Sequence, residues 1–193
     1  MSAPNELLWA LIGLLLTIGG TFLEAFVTNP PWAWSGQGVH TVSLGVTYQI
    51  GAVLLTACLG GKTAGALAQI AYVVLGLNLP VFTQGGGLGY LKEPTFGYLL
   101  GFIAGAWVCG FLAFRMRPRV ESLAFSCTCG LLTIHLYGVG YLIIFHTLSL
   151  KASAGLPLMQ AILKYTIYPL PGQLVVVCAV TVLAFALRQL MFY

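Results

Sequence analysis

The stretch GGGLGYLKEPTFGYLLGF, Gly85 to Phe102, decides the reading of this chain. Its first half places glycine at four of five positions, Gly85, Gly86, Gly87 and Gly89. Glycine takes positive φ without penalty, so this half is loop. The second half opens an uncharged run in which Gly97, Gly101 and Gly105 recur every fourth residue. Residues at that spacing share one helix face, and small side chains there let a second helix approach closely, as is common in lipid. A polar, flexible segment therefore meets an apolar span. Connections between spans can be much shorter, as Gly60-Gly61-Lys62 shows. A loop of this length, closing at Lys92-Glu93-Pro94-Thr95, is predicted to be a lid or binding segment.

Outward from this stretch the composition tells the same story. The 193 residues are 59% hydrophobic and 6% charged, with a mean hydropathy of +0.96. A soluble domain carries about 25% charged residues. Glu6, Glu24, Glu93 and Glu121 are the only acidic side chains, and there is no Asp. So few charges cannot cover a water-facing surface, so lipid is the predicted solvent. At about 20 apolar residues per span, the chain makes an all-α integral membrane protein of about six transmembrane helices. These form one compact bundle over residues 1–193. The spans are expected at 7–23, 46–59, 63–77, 97–114, 122–148 and 174–190, with a short interfacial helix at 158–168. The first run reads as a retained span, because Met1 to Glu6 lacks the basic region of a signal peptide. With six spans, Lys62, Arg115, Arg117, Arg119 and Arg188 share one side, and Lys92, Lys151 and Lys164 the other. The arginine cluster predicts cytoplasmic N- and C-termini in a plasma-membrane protein. The first connection with Trp32 and Trp34, the glycine-rich third connection and the 151–171 region then face outward.

Several chemistries are excluded. Without Asp there is no Ser-His-Asp set, the carboxylates are scattered, and no phosphate-binding Gly-rich Lys-Ser/Thr motif occurs. His40, His135 and His146 are too dispersed for a local metal motif. His135 is expected to pack inside the bundle with one nitrogen bonded. Cys58, Cys109 and Cys178 are isolated in apolar runs, and Cys127-Thr128-Cys129 lies in a span, so the cysteines read as small hydrophobes. Hence no metal, no cofactor and no enzyme activity are expected, and the net charge of +4 reflects orientation rather than nucleic acid. What remains is binding. Gln49 opens span two after Thr47-Tyr48, and Gln173 follows Pro169-Leu170-Pro171-Gly172 at the mouth of span six. Asn78 and Gln84 approach the glycine loop, Gly86 and Gly87 can present backbone N–H groups, and Tyr98 can stack on a ligand. Polar amides in a bundle need partners. Two amides plus Lys92 or Lys164 suit a solute with one amide-like end and one carboxylate. On span one, Gly13, Thr17 and Thr21 repeat the four-residue spacing, a face for another span of this chain or of a partner.

Taken together, these residues resemble the BioY family, the membrane-embedded substrate-binding component of biotin transporters of the energy-coupling-factor type. The resemblance runs through Gly45-Val46-Thr47-Tyr48-Gln49, then Leu59-Gly60-Gly61-Lys62-Thr63-Ala64-Gly65-Ala66-Leu67. It continues in Tyr72-Val73-Val74-Leu75-Gly76-Leu77-Asn78-Leu79-Pro80-Val81-Phe82. It is most specific where the glycine cluster precedes Pro94-Thr95-Phe96-Gly97-Tyr98-Leu99-Leu100-Gly101-Phe102. It implies a six-helix fold that captures biotin from outside, with a transmembrane coupling protein and two ATPase subunits as partners. The family usually carries Asp after the last Pro-Gly and Lys three positions on; here Gln173 and Val176 stand there. Gln173 can hydrogen-bond a ureido group, Val176 cannot meet a carboxylate, and Lys164 or Lys92 is the substitute. The same scaffold holding another vitamin or a biotin precursor, and a non-transport membrane subunit or enzyme, are the alternative readings.

Overall fold

The computed structural model describes residues 3–82, 85–147 and 157–192. Gln84 and Lys151, singled out above, lie outside them. The element order is α1 (Ala3–Phe22), β1 (Glu24–Thr28), α2 (Trp34–Gln37), β2 (Thr41–Thr47), α3 (Gln49–Asn78), α4 (Phe96–Arg115), α5 (Val120–Thr147), α6 (Leu158–Ile162) and α7 (Leu170–Phe192). Five helical segments are long and apolar enough to cross a membrane. One of them, α3, is broken at Gly61, whose φ of 81° no helix accommodates. The two halves fold back on each other. Gln49 Nε2 lies 2.9 Å from Tyr72 Oη, whereas 23 residues of straight helix would separate them by roughly 35 Å. Glycine is the residue that takes such a φ without the clash of a Cβ. The expected Gly60-Gly61 turn is thus present, and the chain makes six passes.

The pattern of exposure is that of a protein in lipid. On α1 the leucines point outward, with Leu7, Leu11 and Leu15 exposed, while Gly13, Thr17, Gly20 and Thr21 are buried. In water this arrangement would be inverted; in hydrocarbon, leucine gains nothing by burial and small residues win the helix contacts. The Gly13-Thr17-Thr21 face, left open by sequence, meets this chain's own α3. A Cβ on Gly13 would overlap the Thr56 side chain, Thr17 accepts from Gln69 Nε2 at 3.0 Å, and the Thr21 hydroxyl lies 3.2 Å from that of Tyr72.

The stripe on α4 works the same way against α5. A Cβ at Gly101 would stand 2.7 Å from Ile134 O, and one at Gly105 would stand 2.8 Å from Gly130 O. The two helices therefore touch backbone to backbone, and α7 closes the bundle against α3 and α5.

The all-α expectation misses one element. The first connection is an antiparallel hairpin, β1 with β2, closed by Asn29. The Asn29 N–H donates to His40 O at 3.0 Å, and its side chain bonds Gly38 O and the His40 N–H at 2.9 and 3.0 Å. The short helix expected at 158–168 is α6 followed by a π-type turn over Leu163–Ile167.

Candidate functional site

At the hairpin end of the bundle, a cavity of about 320 Å³ opens between β2, α3, α4, α5 and the start of α7. That volume is at the lower end of the range for small-molecule sites, roughly 300–1,000 Å³. Val46, Ile50, Leu99, Phe102 and Ile134 make its apolar wall. Gly45, Thr47, Gln49, Tyr90, Thr95, Tyr98, Tyr165, Pro169 and Gln173 complete the lining. Among the described residues, no side chain in this lining is ionisable as a carboxylate, ammonium or guanidinium.

Two amides stand in it, each fixed by a neighbour. Gln173 enters at the first turn of α7, 8% exposed. Its Oε1 is 2.6 Å from His135 Nε2. An oxygen acceptor requires that Nε2 carry the proton, so His135 donates to Gln173, and among the described residues its Nδ1 has no hydrogen-bond partner. This is the expected packing of His135 with one nitrogen bonded. The bond occupies the Gln173 oxygen and leaves its N–H₂ group to donate. Gln49, at the first turn of α3, does the converse. It donates Nε2–H to Tyr72 Oη at 2.9 Å, which leaves its carbonyl oxygen to accept. Tyr72 is held in turn by Val81 O at 3.3 Å. Opposite them the Tyr98 hydroxyl meets Thr166 at 2.6 Å, tying α4 to the π-type turn. The Tyr98 ring stands edge-on to His135, with centroids 5.9 Å apart, and it fits only because position 138 is glycine, where a Cβ would overlap it.

The glycine loop reaches the cavity through residues other than its glycines. Gly87 N–H donates to Gly76 O at 2.9 Å, and Phe82 and Gly85 exchange backbone bonds of 2.8 and 3.0 Å. A Cβ on Gly86 would overlap Leu79 O. Gly86 and Gly87 thus let the loop fold onto the end of α3 and do not line the cavity. What the loop delivers is Tyr90, packed on Phe82 with centroids 4.6 Å apart, and Thr95, which donates to Tyr90 Oη at 3.1 Å.

Of the expected site residues the structure brings together Gln49, Tyr98 and Gln173. Asn78 is exposed and bonds Val74 O of its own helix at 2.8 Å. Lys92 and Lys164 are exposed and outside the lining, each within two residues of a lining tyrosine, Tyr90 and Tyr165. Val176 faces Gly51 and a separate apolar groove between α1, α3 and α7. Sequence reasoning missed Tyr90, Thr95 and Tyr165 as lining residues; the Pro94-Thr95 pair beside the glycines was the available signal.

A six-pass bundle, hollowed at one end by aromatic rings and two oriented amides, defines a polytopic membrane protein built to hold a small molecule. The chain belongs to the BioY family, whose model matches residues 6–192. A probable biotin transporter BioY of Lysinibacillus sphaericus is 43% identical over 98 residues, 50% of each chain. The biotin transporter BioY of Thermotoga maritima is 45% identical over 95 residues, 48% of this chain and 56% of that one. These alignments span about half the length of each relative. The fold is that of a solved S-component for biotin from an ECF-type ABC transporter, with a TM-score of 0.70, 18% identity, and coverage of 98% of this chain and 95% of that one.

Proposed function

We propose that this chain captures biotin at the outer face of the plasma membrane, as the substrate-binding component of an energy-coupling-factor uptake system. The observation that carries the proposal is the pair of oriented amides in a cavity whose other lining is apolar and aromatic side chains with two threonines. A ureido ring offers one carbonyl oxygen and two N–H groups. The free N–H₂ of Gln173 donates to that oxygen, and the free carbonyl of Gln49 accepts from an N–H, each amide using the half its protein partner leaves open. Ile50, Leu99, Phe102 and Ile134 cover the sulfur ring and the aliphatic tail. The tail ends at the rim, where Thr95 and Tyr165 offer hydroxyls and Lys92 or Lys164 supplies positive charge. No bond is made or broken.

The N- and C-terminal helices run to the other end of the bundle, where Glu6 shares a cavity with Lys62 and Arg115. The basic-residue bias assigns that end to the cytoplasm, so the amide cavity opens outward. A transmembrane coupling protein and two ATPases would then act from the inner end.

A second reading, capture of a biotin precursor or another vitamin, is favoured by a cavity lining that holds no cation among the described residues. The test is equilibrium binding of labelled biotin to the protein purified in detergent. Saturable binding that Gln173→Ala weakens supports the proposal. No saturable biotin binding, with binding of a precursor instead, selects the second reading.

A further inference from the structure

Below the amide cavity the bundle is packed tightly, and three sulfurs meet there. Cys58 of α3, Cys109 of α4 and Cys127 of α5 are each fully buried. Cys58 Sγ lies 3.6 Å from Cys109 Sγ and 3.5 Å from Cys127 Sγ, and all three sulfurs lie within 4.8 Å of one another. All are free thiols. A disulfide needs about 2.05 Å between sulfurs. Sulfurs sharing one metal ion at bond lengths of about 2.3 Å sit roughly 3.8–4.0 Å apart. The observed spacing is thus close to that of ligands around a common centre.

We propose that Cys58, Cys109 and Cys127 form a binding site for a soft monovalent ion, Cu(I). Thiolates select soft ions such as Cu(I). A zinc ion would want a fourth ligand, and among the described residues no carboxylate or imidazole joins the cluster. Binding breaks two S–H bonds heterolytically and forms three Cu–S bonds, two to thiolates and one to the remaining thiol, as copper leaves the chelator or solvent ligands that delivered it. Both protons leave to solvent, and the third thiol donates a sulfur lone pair. Copper remains Cu(I), and no electron is transferred.

The product carries one negative charge in a low-dielectric interior, which is unfavourable unless opposed. Arg188 opposes it. Its guanidinium, 9% exposed, donates to Ala113 O at 2.9 Å, one turn along α4 from Cys109. A cavity of about 270 Å³ at the break in α3 is lined by Gly60, Gly61 and Gly110. These lie within three residues of Cys58 and beside Cys109.

The experiment is an anaerobic titration of the full-length protein in detergent with Cu(I), in competition with a chromophoric Cu(I) chelator. The expected result is a single tight Cu(I) per chain. Cys58→Ser, Cys109→Ser and Cys127→Ser each weaken it by at least about tenfold, the loss that even an outer-shell change commonly produces. Cys129→Ser and Cys178→Ser leave it unchanged. Monodisperse elution and helical circular dichroism check each variant. If the core variants fail that check, X-ray absorption of the copper-loaded wild type decides. An all-sulfur shell supports the site; nitrogen or oxygen ligands overturn it. Failure to bind, or equal losses in the Cys129 and Cys178 variants, also overturns it.

Discussion

The two halves of this bundle are built from the same helices and behave as opposites. Near the hairpin, α4 presents Tyr98, Leu99 and Phe102, α5 presents Ile134, and α3 presents Gln49 and Ile50, and the helices enclose a cavity. Two turns further on, the same helices present Gly105, Ala106 and Cys109, Gly130 and Cys127, and Ala57 and Cys58, and the space closes. Where the inward faces carry small residues the centre fills; where they carry large rings and amides, a space stays open between them. In lipid, where hydrophobicity alone does not separate inside from outside, side-chain size along each helix decides where a bundle is hollow.

Substitutions in each half should therefore fail in different ways. The largest effect is expected from Gly105→Leu in the closed half. A Cβ alone would already stand 2.8 Å from Gly130 O, so the helices must part, at a cost of about 3 kcal/mol or more. Thermal unfolding in detergent should show a large fall, and an unchanged midpoint would break the comparison. Next is Gln173→Ala in the hollow half. It removes the amide that His135 orients, and biotin affinity should fall about 10- to 100-fold, as for loss of a buried hydrogen bond worth roughly 1–3 kcal/mol. Its unfolding midpoint should move far less than that of Gly105→Leu.

Tyr98→Phe is milder. It loses the hydroxyl bond to Thr166 but keeps the ring, so stability should drop by about 1 kcal/mol and affinity should change only slightly. The smallest effect belongs to the rim. Lys164→Ala removes an exposed charge, worth under about 1 kcal/mol and screened by salt. Its effect on affinity should vanish as ionic strength rises, and a large, salt-insensitive loss would place the ammonium inside the cavity.

The architecture was legible because composition and glycine spacing act locally. Six passes follow from apolar length and from Gly60-Gly61. The Gly97-Gly101-Gly105 stripe is visible as a periodicity and packs as one. The hairpin was not legible: Glu24–Thr28 is short and abuts an apolar helix, and its pairing with Thr41–Thr47 depends on Asn29 reaching across to Gly38 and His40. The site was half legible. Gln49 and Gln173 announce themselves as amides at the mouths of spans. Asn78 has the same address, yet its side chain turns back to Val74 O, because position along the chain does not say which face of a helix looks inward. The cysteine cluster could not be read at all. Its members lie 51 and 69 residues apart and meet only once three helices pack.

The most direct test of an outward-opening biotin cavity is labelling of Thr95→Cys in whole cells, with Cys129 and Cys178 replaced by alanine, using a membrane-impermeant maleimide. Modification from outside, with protection by biotin, is the expected result. Modification only after the cells are permeabilised, or modification that biotin leaves unchanged, would contradict it.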